Sequence, residues 1–234
     1  PCYRITFDTG EEIVADENHR WYVEADRAFD LTGRVKMGRP SLETPMFKTG
    51  VLNTKQIAQF HKQGARNRFA IPNAEALKLP ETLLPVDPYF LGLWLGDGSS
   101  GDTTLTGVLS DLKHHEVELT QRGLTVEHLE RREIKTPQVR VKDPQGNLRA
   151  ALQTLGVFRD KHVPAVYLRA ATHQRLDLLR GLLDTDGSIT KRGRVSFYNT
   201  NPRLVAAVEE LACSLGFRAW QCQQSWSSFM TAGI

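Results

Sequence analysis

Two aspartates stand where apolar runs break off at a glycine. Asp97 closes FLGLWLGDGSS, Phe90 to Ser100, and Asp186 lies in LLRGLLDTDGSI, Leu178 to Ile189. Read as helices, Phe90, Leu93 and Trp94 share one face around Gly92, and Leu179, Leu182 and Leu183 share one around Gly181. A glycine within each stripe lets two such helices approach backbone to backbone. The helices would then end together at Asp97-Gly98 and Asp186-Gly187, with each glycine in a left-handed helix end. Two carboxylates that close repel unless a cation lies between them. A hard divalent ion with oxygen ligands, Mg²⁺ most simply, meets that need. Such an ion lowers the pKa of a bound water and stabilises charge on a phosphodiester under attack. A calcium loop fits poorly, because DTDGSI places its glycine fourth counting from Asp184 and lacks the later acid of an EF-hand. One helix ending in Asp-Gly is ordinary; its recurrence in register is what points to a site.

The elements around these runs repeat as well. From Asp87 the pattern predicts helix (88–97), strand (103–108), helix (111–123), strands (125–131 and 137–142) and helix (147–156). A second round follows: helix (172–186), strand (194–199), helix (202–216) and strand (217–223). Nothing after Ser225 reads as the remaining strand and closing helix, so the second round is expected to be truncated at its C-terminus. Before the repeat, YRITF, the turn DTG, EEIVA and HRWYV read as a β-hairpin followed by a third strand. GRPSLETP reads as loop and NTKQIAQFHKQG as a short helix stopped by Gly64. PETLLPVDP has three prolines in nine residues and reads as a linker. The expected organisation is therefore α+β: a β-rich part over residues 1–80 and a second domain over 87–234.

Composition narrows the class of protein. The 234 residues are 40% hydrophobic, enough for a buried core, and the formal charge is only +3. The basic residues gather in KHH, ERREIK, VRVK and TKRGR, each of which reads as a solvated face or as nucleic-acid contact. Cys2, Cys213 and Cys222 make no CxxC pair, which points to a reducing, intracellular, cytoplasmic setting without a disulfide framework or structural zinc. No apolar run reaches the roughly 18 residues of a membrane span, and no signal-peptide pattern opens the chain.

The doubled motif resembles the LAGLIDADG (DOD-type) homing endonucleases in the form carried inside inteins. FLGLWLGDG agrees with the nine-residue motif at Gly92, Leu93, Asp97 and Gly98. LRGLLDTDG agrees at Leu179, Gly181, Leu182, Asp184, Asp186 and Gly187. Asp184 matches the family's earlier acid, which Leu95 replaces in the first copy. The resemblance spans roughly Asp87 to Gln223. It implies a pseudo-symmetric two-repeat αββαββα domain that binds double-stranded DNA as a monomer and cuts it with a divalent cation held by Asp97 and Asp186. It also implies a saddle of strands over the DNA, with Arg131, Arg140, Lys142, Lys191, Arg192 and Arg194 as contacts. The family's assisting lysines or glutamines have no fixed motif, and none is assigned.

GEEIVADENHRWYV resembles the intein self-splicing block of a threonine, two residues and a histidine, within the β-rich Hint fold. His19 takes the histidine position, implying activation of a peptide bond for acyl shift, while Asp16 stands where threonine is commoner. Cys2 lies too near His19 to be the opening nucleophile, and SSFMTAGI holds no closing His-Asn pair. The chain reads as an internal piece of a large intein whose full-length precursor would join host exteins. Two other readings stand beside the active endonuclease: an inactive remnant serving as a structural insert in a splicing intein, and a DNA-binding module that has lost cutting.

Overall fold

The structure, a computed structural model, describes residues 1–8, 10–26, 47–62, 69–130, 136–224 and 227–233. Arg131, Gly64 and the GRPSLETP loop lie outside these residues. The described chain is a mixed α/β molecule in two compact units, residues 1–74 and 75–234.

In the first unit β1 (Cys2–Thr6) and β2 (Glu12–Asp16) form the expected hairpin, with Ile5 opposite Ile13. The third strand, β3 (Arg20–Asp26), leaves the hairpin. It pairs antiparallel with β4 (Phe47–Asn53) and, on its other edge, with β5 (Phe69–Ala70). The turn that redirects the chain is an Asx turn in which Asp16 Oδ1 accepts from the Asn18 N–H at 2.7 Å. Helix α1 (Thr54–Lys62) closes a small core of Val23, Leu52 and Phe60.

The second unit is built around α2 (Pro88–Asp97) and α6 (Thr172–Asp186). Asp87 starts α2: its carboxylate accepts from the Phe90 N–H at 2.9 Å, and Pro88 supplies a first-turn residue with no N–H to satisfy. Tyr89, Phe90, Leu91, Leu93, Trp94 and Leu95 are all fully buried, so α2 is enclosed on every side. It runs against α6 through glycine. A Cβ on Gly92 would stand 2.5 Å from the Leu178 carbonyl oxygen, and a Cβ on Gly181 would overlap the Tyr89 carbonyl. Each glycine is thus required by the backbone of the other helix.

Around α2 follow β6 (Thr104–Thr106), α3 (Leu109–Gln121), β7 (Thr125–Leu129), β8 (Gln138–Lys142), α4 (Leu148–Thr154) and the single turn α5 (Ala165–Leu168). After α6 come β9 (Gly187–Ile189), β10 (Val195–Asn199), α7 (Pro202–Ser214), β11 (Arg218–Gln224) and β12 (Ser227–Gly233). The first sheet runs β6-β8-β7, with Gly98 bridged to Leu105 outside β6. The second runs β9-β10-β12-β11. The strand order is therefore the same after both helices.

Two expectations are overturned here. A strand does follow Ser225: β12 pairs in register with both β11 and β10. Its Ser-Ser-Phe-Met-Thr-Ala-Gly sequence has little β-branched character, and its place between two partners supplies what local propensity does not. The glycines after the acids are also not left-handed. Gly98 (φ −77°, ψ 150°) and Gly187 (φ −89°, ψ 159°) are extended and lead straight into strand pairing. Glycine is needed there because a Cβ would collide with the Trp94 and Leu183 carbonyls of the preceding turn.

The stretch Pro80–Pro88 packs on this second unit: Thr82 exchanges hydrogen bonds with the Gln174 amide at 3.1 and 2.7 Å, and Tyr167 donates to the Val86 carbonyl at 2.8 Å. Further upstream, the Leu77 carbonyl accepts from Arg175, whose fully buried guanidinium also donates to the carbonyls of Ala170 (2.9 Å) and Ser214 (2.7 Å). Among the described residues no helix is long and apolar enough to cross a membrane.

Candidate metal centre

The backbone contact at Gly92 and Gly181 determines what happens one turn later. Gly96 faces Thr185, where a Cβ would again have no room, and the helices reach their ends still adjacent. Asp97 and Asp186 emerge there as the last residues of α2 and α6. Both carboxyl pKa values are raised. For Asp97 the main cause is loss of water against the crowded helix ends, although its outer side remains exposed; the charge of Asp186 adds to it. For Asp186 the main cause is likewise desolvation, opposed by a 2.7 Å hydrogen bond from Asn199 Nδ2 and by the charge of Lys161. Each acid also sits at the negative end of a helix dipole, which disfavours its charge further.

Lys161 is the residue that sequence reasoning left out. It lies in the irregular chain between α4 and α5, far in sequence from both acids. Its Nζ donates to the Gly96 carbonyl at 3.0 Å and sits 5.3 Å from the Trp94 ring centroid. Burial pulls its pKa down, and the charges of Asp97 and Asp186 pull it back up. Lysine and the two acids therefore share one electrostatic site. In sequence, DKHVP offers only one more lysine in a basic chain, and only the fold reveals its neighbours.

The donor set suits a hard cation. Two carboxylates at helix ends give anionic oxygen, and water and phosphate oxygens would complete the six-fold shell that Mg²⁺ prefers. Among the described residues no group of three or more His, Cys, Asp or Glu side chains is placed to hold a metal alone. Asp184 turns away from this role, accepting a 2.7 Å hydrogen bond from the buried Tyr89 hydroxyl.

The other candidates fall in different places. Gln138, Arg140 and Lys142 alternate along β8 with the buried Val139 and Val141, so they share the face of the sheet away from the core. Lys142 is ion-paired to Glu127 on β7 at 2.7 Å. Lys191 and Arg192 are exposed in the turn between β9 and β10, and Arg194 closes that turn instead of riding on a strand; its N–H binds Thr190 Oγ1 at 3.1 Å. His19, in the first unit, is exposed and packs edge-on against Trp21 at 4.5 Å, while the Trp21 indole donates to Thr54 Oγ1 at 2.9 Å.

Residues 173–223 match the family model of the LAGLIDADG-like domain. Over 228 residues the chain is 35% identical to the replicative DNA helicase DnaB of Mycobacterium intracellulare. That alignment takes in 96% of this chain and 35% of the helicase, so the chain spans about a third of the length of the curated relative it matches. Among solved structures, the homing endonuclease I-DmoI in complex with DNA and Mn is similar at a TM-score of 0.46 and 16% identity, over 64% of this chain and 89% of that one. The N-terminal LAGLIDADG domain of DUF199/WhiA is similar at 0.39 and 10% identity, over 64% and 78%.

Proposed function

We propose that the second unit is a LAGLIDADG homing endonuclease that hydrolyses double-stranded DNA with a divalent cation, and that the chain is a segment of an intein interrupting a replicative helicase. The observation that carries the first part is the meeting of Asp97 and Asp186 at the ends of two helices locked together through Gly92 and Gly181. Shared strand order after both helices supports a pseudo-symmetric pair of repeats.

A Mg²⁺ ion between the two acids would supply a more acidic water and a positive charge at the phosphate. The chain's own residues do the rest. Asp97 and Asp186 would hold the cation, whose charge would bring their raised pKa values down again. Lys161 holds an ammonium beside them, where it stabilises negative charge growing on a phosphate oxygen. Arg140 and Lys142 hold the DNA backbone.

The second part rests on the likeness to the helicase together with the splicing-block resemblance around His19. The chain holds no GxxxxGK[ST] phosphate loop, so an ATP-binding motif does not explain that likeness. His19 would act on a peptide bond in the complete precursor, with exteins as partners.

The test is cleavage of a plasmid library carrying helicase-gene sites, with Mg²⁺, with EDTA and with Asp186→Asn. Specific cuts that need the metal and vanish in the variant support the endonuclease. A folded chain that binds DNA and never cuts overturns it in favour of a remnant.

A further inference from the structure

The run YNTNP, from the end of β10 to the start of α7, places one asparagine on Asp186 and another on the backbone of Lys161. Asn199 Nδ2 donates to Asp186 Oδ2 at 2.7 Å, and its Oδ1 accepts from the Asn201 N–H at 2.8 Å. Asn201 Oδ1 caps α7 by accepting from the Arg203 N–H at 3.0 Å, and its Nδ2 donates to the Lys161 carbonyl at 2.7 Å. Each amide meets one N–H and one oxygen, which settles the orientation of both side chains. Lys161 continues the path through Nζ to the Gly96 carbonyl, one residue before Asp97. The path thus runs from Asp186 to the residue before Asp97, and a lysine that follows the first sheet is held by the cap of a helix in the second half. Asp160, next to Lys161, adds a second tie through its two bonds to Arg203 at 2.7 and 2.9 Å.

The arrangement is one-sided. Gly98 is bridged to Leu105 as Gly187 is paired with Phe197. Two residues further on stand Gly107 in the first case and Asn199 in the second, so Asp97 has no amide in the matching place.

We propose that Asn201 is a positioning residue that fixes the Lys161 segment against the acid pair, with Asn199 joining that segment to Asp186. Its catalytic meaning rests on the endonuclease reading; the placement itself does not.

Asn201→Asp separates the two jobs of the side chain. Aspartate caps a helix as well as asparagine does, but it cannot donate to the Lys161 carbonyl. The first measurement is the rate at which an amine-selective acylating reagent modifies Lys161 in the chain, read by mass spectrometry against the exposed Lys113. The variant is expected to raise that rate about fivefold, the worth of one neutral hydrogen bond, with the Tm lowered by no more than about 2–4 °C. An unchanged rate overturns the proposal. Should Asn201→Asp fail to fold, Asn201→Gly, tolerated at a helix N-cap and without a side-chain donor, serves in its place. The second measurement is DNA cleavage. Asn201→Asp is expected to lower kcat about fivefold at constant KM, and to add nothing to Lys161→Met. Additive losses would place Asn201 on a separate path. A chain that cuts no DNA removes the endonuclease reading and leaves the labelling rate to decide the placement.

Discussion

Replacing Gly92 with alanine sets two effects of opposite sign against each other. Alanine is the better helix former by about 1 kcal/mol, and propensity alone would make the variant more stable. The structure argues the reverse. The new methyl would stand 2.5 Å from the Leu178 oxygen, 2.8 Å from the Leu182 nitrogen and 2.9 Å from the Gly181 carbonyl carbon. All three are backbone atoms of α6, so no rotamer change relieves the overlap. The first contact is about 0.9 Å short of the 3.4 Å at which ordinary contact begins, and α2 must move by about that much. A gap of that size forfeits between a quarter and half of the dispersion energy across a packed face. We take the upper end of the overpacking range, about 3 kcal/mol, less about 1 kcal/mol of propensity, for a net loss of about 2 kcal/mol. For a unit of this size that lowers the Tm by about 4–8 °C. Thermal unfolding followed by circular dichroism measures it, with Gly101→Ala as control because nothing lies within 4 Å of a Cβ there. A Gly92→Ala chain as stable as wild type, or more so, would refute the backbone contact between the helices.

Other expectations follow from the same site. On the proposed endonuclease reading, Asp97→Asn and Asp186→Asn should each abolish cleavage and leave DNA affinity within about twofold, since the acids would hold metal and not bases; filter binding beside a cleavage assay separates the two. Because both folded carboxyl pKa values lie above the ordinary 3.8, ionised acids oppose folding at neutral pH in the metal-free chain. As pH falls through the raised values, the folded state takes up protons first and gains stability, until the unfolded carboxyls also protonate near their ordinary range. Urea unfolding in EDTA should show this gain in wild type minus the Asp97→Asn, Asp186→Asn double variant; a flat difference refutes it. Glu127→Gln should tighten DNA binding about fivefold at low salt and steepen its salt dependence by up to about one counterion, by releasing Lys142 from its ion pair. Unchanged affinity would remove that sheet face from the interface.

The helices at the centre were readable because their bounds are chemical. Pro88 and the Asp-Gly pairs stop and start the chain wherever it is placed, and the structure gives α2 and α6 the predicted limits. What escaped reading depends on partners. Strand β12 is a strand because β10 and β11 flank it, and its own residues would suit a loop. The turn α5 is four residues long and rests on Tyr167 reaching Val86, a contact across 81 positions of sequence. The acids could be paired from a repeated motif, whereas Lys161 and Asn199 belong to no repeat and gain their meaning only from proximity. The helix-ending glycines were identified correctly but for the wrong reason, since a left-handed end and a steric gap ask for the same residue.

The clamp around Arg175 bears on where this molecule can be divided. Its charge has carbonyl oxygens for company, one of them from Leu77, which lies upstream of the proline-rich stretch. A shortened gene beginning at Pro80 or Asp87 would look natural from composition, yet it would leave a buried guanidinium one acceptor short, at a cost of about 1–3 kcal/mol or more for a charged donor. Beginning at Glu75 retains that oxygen. The difference should be visible in expression trials as soluble yield, and in limited trypsinolysis as a resistant fragment whose new N-terminus falls before Leu77.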